Sequence, residues 1–171
     1  MPNDLSPEEI ARSHRWHAVE CNNLAWRLSQ LPKRTSIQDA EMLHAAHASA
    51  YHWGKVGTEL HAARAKMLLA HVHASLGNSR TATDYARECH DYLMAHDPPD
   101  WEQAFVHAVL AHAAYAAGDE GLHRKYYTKA EEIGGAIADP EDKGIFLETF
   151  STIPKPGRLS STIDRQSGRG S

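Results

Sequence analysis

The sequence predicts an all-α protein: a stack of antiparallel helix hairpins, six long helices plus a short C-terminal capping helix. Three observations carry this. Leu69-Ala70-His71, Gly77-Asn78, Tyr85 and Cys89 recur 41 residues later as Leu110-Ala111-His112, Gly118-Asp119, Tyr126 and Ala130. Each copy reads as helix, tight turn, helix, the unit from which stacked arrays are built. The composition is 42% apolar, rich in Ala and poor in β-branched residues, which favours helix over strand. No segment alternates with the period of two that marks a strand.

The helix ends are punctuated in order. Ser6-Pro7-Glu8-Glu9 is a capping box with Pro at the first helical position, and the helix it opens should run to about Leu31, where Pro32 stops it. Ser36 to Asp39 opens a second helix, expected to end at Gly54. Thr58 caps a third, with Leu60, Ala63, Met67, Ala70 and Ala74 at three-to-four spacing, and Gly77-Asn78 breaks it. A fourth helix reaches about His96, and Asp97-Pro98-Pro99-Asp100 resets the chain. The fifth spans Trp101 to Ala117, and Gly118-Asp119 turns into the sixth. Asp139-Pro140-Glu141-Asp142 caps a short seventh helix, whose Ile145, Phe146, Leu147 and Phe150 can seal the open end of a stack.

At 171 residues the chain fits one domain, residues 1–153, with a tail at 154–171. The formal charge is −4, unevenly spread: the last 18 residues carry four cations against Asp164, leaving −7 on the rest. An acidic body argues against nucleic acid as a partner, since wrapping phosphates needs a basic stripe. The stretch from Gly157 to Ser171, rich in Ser, Gly and Arg, reads as a disordered, solvated end. No apolar run approaches the roughly 20 residues of a spanning helix, and the acidic start lacks a signal-peptide pattern. A soluble, cytoplasmic protein without membrane contact is expected, with Cys21 and Cys89 as reduced core residues.

The repeat resembles tetratricopeptide-type units, in which a large and a small residue on the first helix precede a Gly-Asp turn and a second helix of small and aromatic residues. Leu110, Ala111, Gly118, Asp119, Tyr127 and Ala130 fit that order, and Leu69, Ala70, Gly77, Asn78, Ala82, Ala86 and Cys89 fit it less fully. Asn23-Leu24-Ala25 with Leu28 resembles the first half of a third, degenerate unit. The resemblance covers roughly residues 10 to 135 and departs from the family in its period, 41 residues against about 34. The first-helix aromatic is missing, and the helices are longer. The stretch from Ala50-Tyr51-His52-Trp53 through Gly57-Thr58 to Ala62-Ala63-Arg64-Ala65 also resembles a group of bacterial helical-repeat proteins with no assigned function.

The resemblance implies a right-handed superhelix whose concave face comes from the first, third and fifth helices. That register turns Arg64, Met67 and His71 inward beside Phe105, His112 and Tyr115, with Asn22 and Trp26 joining from the first helix. Such a mixture of aromatics, Met, Arg and His suits a groove for a peptide or small ligand. The alternative is that a stack this compact closes the groove and makes these residues core. The clamp that holds chaperone tails in this family needs Lys and Asn where Met67, Ala108, His71 and His112 stand, so that activity is disfavoured.

Thirteen histidines, against a usual share of about 2–3%, raise the question of a metal. Helix geometry leaves His14/His17, with Glu20 and Cys21 one turn on, and Glu41/His44/His47 as candidates. Glu41-x-x-His44 and Glu120-x-x-His123 have the spacing of half a di-iron site. The second lies in the first turn after Gly118-Asp119, where a solvated side chain is expected. The repeat itself generates one further arrangement, His71 beside His112. No phosphate-binding, nucleophile-elbow or zinc-protease motif occurs. The reading is therefore a non-enzymatic interaction module or scaffold with a protein or peptide partner, a homodimer being one form of it, and no cofactor. The alternative is a His/Glu metal-binding helical bundle or enzyme. Arg64, between two alanines and turned inward, suits a ligand carboxylate or an internal ion pair.

Overall fold

A computed structural model describes residues 5–157. Those residues form seven helices and no strand: α1 (Pro7–Ser29), α2 (Ser36–Val56), α3 (Glu59–Ser75), α4 (Ser79–Met94), α5 (Asp100–Ala116), α6 (Glu120–Ala136) and α7 (Pro140–Phe150). The most extensive packing is within the successive pairs α1/α2, α3/α4 and α5/α6, each joined by a short connection. The pairs meet through α2 on α3, α4 on α5 and α3 on α5, and α7 closes against α5 and α6. None of these helices is long and apolar enough to cross a membrane. The tail assigned to 154–171 is described only as far as Gly157, and the rest lies outside the described residues.

Caps explain most of the boundaries. Ser6 and Glu9 exchange hydrogen bonds across the first turn of α1, and Thr35 and Gln38 do the same for α2. The two repeat turns are built identically. Gly77 and Gly118 sit at φ of +74° and +73°, each one residue past the helix cap. Gly77 N–H reaches Ala74 O and Asn78 N–H reaches His73 O; Gly118 and Asp119 bond Tyr115 O and Ala114 O in the same way. That is the paired closure which needs a left-handed residue, and glycine adopts it without a Cβ clash.

Several boundaries differ from the sequence reading. α1 stops at Ser29 and α4 at Met94, two residues early in each case, because the final turn unwinds before the proline-containing connection. α2 runs through Gly54, which stands in open space, and ends at Val56. The required glycine is Gly57: a Cβ there would meet Trp53 O at 2.7 Å and His61 Cβ at 2.9 Å, because the Trp53 and His61 rings stack at 4.3 Å over it.

Two apolar clusters share the interior. The larger draws on α3 through α7 and ends in Phe146, Phe150 and Ile153; the smaller joins α1, α2 and α3 around Met42, Leu68, Leu69 and Val72. Trp26 and Tyr85 touch both. α3 and α5 are buried on almost every side, so polar residues on them are enclosed as well. Buried alanines such as Ala18, Ala25, Ala46, Ala82, Ala86 and Ala111 let the backbones approach, and Ser49 Oγ bonds Ala18 O across α1/α2 at 2.9 Å. Gly134 has the same role at the end: Phe146 lies where its Cβ would stand. Cys89 is core, as expected, but Cys21 is half-buried at the edge of a shallow apolar groove between α1 and α2.

Candidate functional site

The face shared by α1, α3 and α5 is neither an open groove nor solid core. α7 lies along it as a fourth wall, and Gln30 Nε2 donates to Thr149 Oγ1 at 3.4 Å across the middle. Two cavities remain, one on each side of that bridge, and Gln30 lines both.

The first has a volume of about 570 Å³. α1 contributes Asn22, Asn23, Trp26 and Arg27, α3 contributes Arg64 and Met67, α5 contributes Trp101 and Phe105, and α7 closes it with Asp142, Ile145 and Thr149. Trp26 meets Phe105 edge-on at 5.9 Å, and Trp101 meets it at 6.3 Å, so the walls are aromatic and mutually braced. Arg64 is fixed on two sides. Its Nε donates to Glu102 Oε1 at 2.7 Å, and its guanidinium lies 5.3 Å from the centre of the Trp101 ring. Glu102 is only 2% exposed, whereas Arg64 is 40% exposed. The inward cation is therefore both paired and accessible.

The second cavity, about 440 Å³, is lined by His112 and Tyr115 from α5, Ala74 and Ser75 from α3, and Arg34 from the α1–α2 connection. Ser151, Thr152 and Pro154, just past α7, complete it.

Between the cavities the face is packed. His71 has no exposed surface, its ring lies 5.1 Å from Trp26, and its Nδ1 is 3.2 Å from Nδ1 of His112. Burial holds the His71 imidazolium well below the ordinary range, reinforced by His112 and Arg34. Burial likewise pushes His112 down to about 4, with smaller contributions from His123 and Arg34. Both rings are neutral at pH 7.

The eight expected face residues thus separate into three groups. Asn22, Trp26, Arg64, Met67 and Phe105 come together around the aromatic cavity, although Met67 and Phe105 show little more than an edge. His71 belongs to the core. His112 and Tyr115, the latter 51% exposed, serve the other cavity and do not meet Arg64. The division arises because α7, which packs on the last hairpin, also reaches over the face shared by α1, α3 and α5. Arg27, Arg34, Gln30 and Trp101 escaped the sequence reading; Trp101 alone carried a signal, as a large apolar residue in the first turn of a helix bounded by Pro-Pro.

The histidines marked as metal candidates are distributed over separate seams. His14 Nδ1 lies 2.7 Å from His52 Nδ1, with His17 stacked on His52 at 5.2 Å, linking α1 to α2. His47 turns away from His44 to meet His73, Nε2 to Nε2 at 3.1 Å, linking α2 to α3. His44 and Glu41 line the shallow outer groove instead. His123 is a correction: it is 4% exposed, its Nδ1–H donating to Ala111 O at 2.9 Å, because α6 lies directly on α5 there. Glu120 remains exposed, so the two do not form a half-site. Among the described residues no three His, Cys, Asp or Glu side chains converge on a point that could hold a metal.

Family models, curated proteins and solved structures yield no match to this chain.

Proposed function

We propose that the protein is a non-enzymatic interaction module of tetratricopeptide-like design that reads a short partner segment in the aromatic cavity between α1, α3, α5 and α7. The observation that carries this reading is Arg64: a guanidinium held in place by buried Glu102 and Trp101, with its remaining edge at an aromatic pocket. Fixing a cation beforehand lowers the entropic cost of engaging a carboxylate. Trp26, Phe105, Met67 and Ile145 supply the apolar contact a bulky side chain needs, and Arg27 adds positive charge at the rim. The segment that fits carries a large aromatic or aliphatic residue beside a carboxylate. Because α7 encloses the face, the pocket takes one anchor residue and its neighbours rather than a long extended peptide.

Selection from a random peptide library tests this. Wild-type protein should enrich peptides with a bulky apolar residue next to Asp, Glu or a free C-terminus, and binding should alter Trp fluorescence. Arg27→Glu should abolish the enrichment, while Tyr115→Ala, in the other cavity, should leave it intact. An unenriched library, or enrichment indifferent to Arg27→Glu, would sink the reading.

A further inference from the structure

The second cavity shares only Gln30 with the pocket just assigned, and the hydrogen-bonding groups of its walls specify a different ligand. Its His112 ring can be oriented from an orphan. Nε2 of His71 is fully enclosed and meets no hydrogen-bond partner. A buried N–H without an acceptor is rarer than an unpaired acceptor, and Nδ1 has an acceptor in reach, so the single proton of neutral His71 belongs on Nδ1. Nδ1–H of His71 therefore donates to Nδ1 of His112, 3.2 Å away. His112 must then carry its own proton on Nε2, the ring nitrogen not engaged with His71, and His112 lines the cavity. His71 acts as the positioning residue: it fixes the tautomer of its neighbour, as outer-shell groups commonly do for imidazoles.

The other polar groups divide into two sets. Arg34 spends Nε on Asp39 at 2.6 Å and Nη1 on Ser29 O at 3.3 Å, and Nη2 has no partner among the described residues. Tyr115 adds a phenol, also without a hydrogen-bond partner among the described residues. With His112 Nε2–H these make a donor set. Three lining hydroxyls are already committed as donors: Ser75 to His71 O at 2.9 Å, Ser151 to Glu148 O at 2.7 Å and Thr152 to Thr149 O at 2.7 Å. While those bonds hold, their oxygens are left to accept.

We propose that this cavity binds a small hydroxycarboxylic acid. Its carboxylate accepts from Arg34 Nη2, His112 Nε2–H and the Tyr115 hydroxyl, and its hydroxyl groups donate to Ser75, Ser151 and Thr152. A volume of about 440 Å³ restricts the ligand to a small molecule. Inorganic phosphate would meet the same donors but near neutral pH brings only one or two P–OH groups to three accepting hydroxyls, whereas a polyhydroxy acid satisfies both sets.

The test uses the full chain with D-gluconate and D-glycerate as probes, against acetate, glycerol and inorganic phosphate at equal concentration. Thermal midpoint and long-range nitrogen NMR of the histidine rings are the readouts. Either hydroxy acid, at up to about 10 mM, should raise the midpoint and move the His112 Nε2 signal, with acetate and glycerol inert. His112→Asn keeps a group opposite His71 but removes the cavity donor, and should weaken binding by about tenfold or more. Tyr115→Phe, at a half-exposed position that the fold does not depend on, should weaken it severalfold. The proposal is overturned if neither hydroxy acid binds, if Tyr115→Phe and His112→Asn bind as wild type does, or if the spectrum puts the His112 proton on Nδ1. Tighter binding of inorganic phosphate than of both acids would also overturn it, assigning the cavity to phosphate esters.

Discussion

The Nδ1 atoms of His71 and His112, equivalent residues of two repeats 41 positions apart, lie 3.2 Å from each other in the centre of the molecule. One proton can bridge them; two cannot. The groups facing the pair are Trp26 from α1, Arg34 from the α1–α2 connection and His123 from α6, so no carboxylate is at hand to stabilise an imidazolium.

Acid should therefore destabilise the fold. Both folded-state values lie below the unfolded reference of 6.5, so the unfolded chain binds more protons and stability is lost as pH falls from about 6.5 towards 4. With His112 at about 4, it alone contributes a loss of about 2 kcal/mol by pH 5. Urea unfolding at pH 7.5 and pH 5 measures this, and His112→Gln should flatten the slope whatever its stability at neutral pH.

Arg64→Ala should destabilise the protein by about 1–3 kcal/mol, because it leaves the buried Glu102 carboxylate without its partner. Arg64 itself is substantially hydrated, which places the value below that of a wholly buried pair. Adding Glu102→Gln to Arg64→Ala should restore part of the loss. Additive losses in the chemical-denaturation cycle would show that the pair is not coupled.

Gly134→Ala should detach α7. The added methyl falls on the Phe146 ring, which has no free space to retreat into, and overpacking of this kind costs about 1–3 kcal/mol. Limited proteolysis should cut near residues 137–140 in the variant while the first six helices stay protected. Gly118→Ala acts through a different cause, a left-handed φ of +73°, and should cost about 1 kcal/mol in thermal unfolding without local cleavage.

Thiol chemistry should separate the two cysteines. Cys89 is fully buried, and that burial pushes its thiol up to about 12, whereas Cys21 is half-buried beside the outer groove. Iodoacetamide should label one site in the folded protein, Cys21, and both in urea. Native labelling of Cys89 would contradict the packing of α4 on α3.

Much of this architecture could be read along the chain because its instructions are local. Ser6-x-x-Glu9, Thr35-x-x-Gln38 and the Gly77 and Gly118 turns each act within five residues, and each helix they bound is present. The 41-residue register also placed His71 against His112, since equivalent positions on stacked hairpins share one face. What could not be read is long-range. Whether Phe146 and Phe150 face the end of the stack or its inner side depends on how α6 and α7 are angled, and no periodicity in an 11-residue helix encodes that. The same uncertainty hid Trp101, Arg34 and Gln30 as lining residues. His123 is enclosed because the first turn of a helix is solvated only where nothing packs on it, and α5 packs on this one.

The four walls of the two cavities are not equally secure. α1, α3 and α5 are continuous with the two cores, but α7 rests on α5 and α6 less extensively and, among the described residues, meets the C-terminal end of α1 through the Gln30–Thr149 hydrogen bond. Excursions of that one helix cost less than unfolding the body, and each such excursion unseals both chambers together. Amide exchange along α7 is thus the clock for entry, and a molecule lodged in either chamber slows it for both.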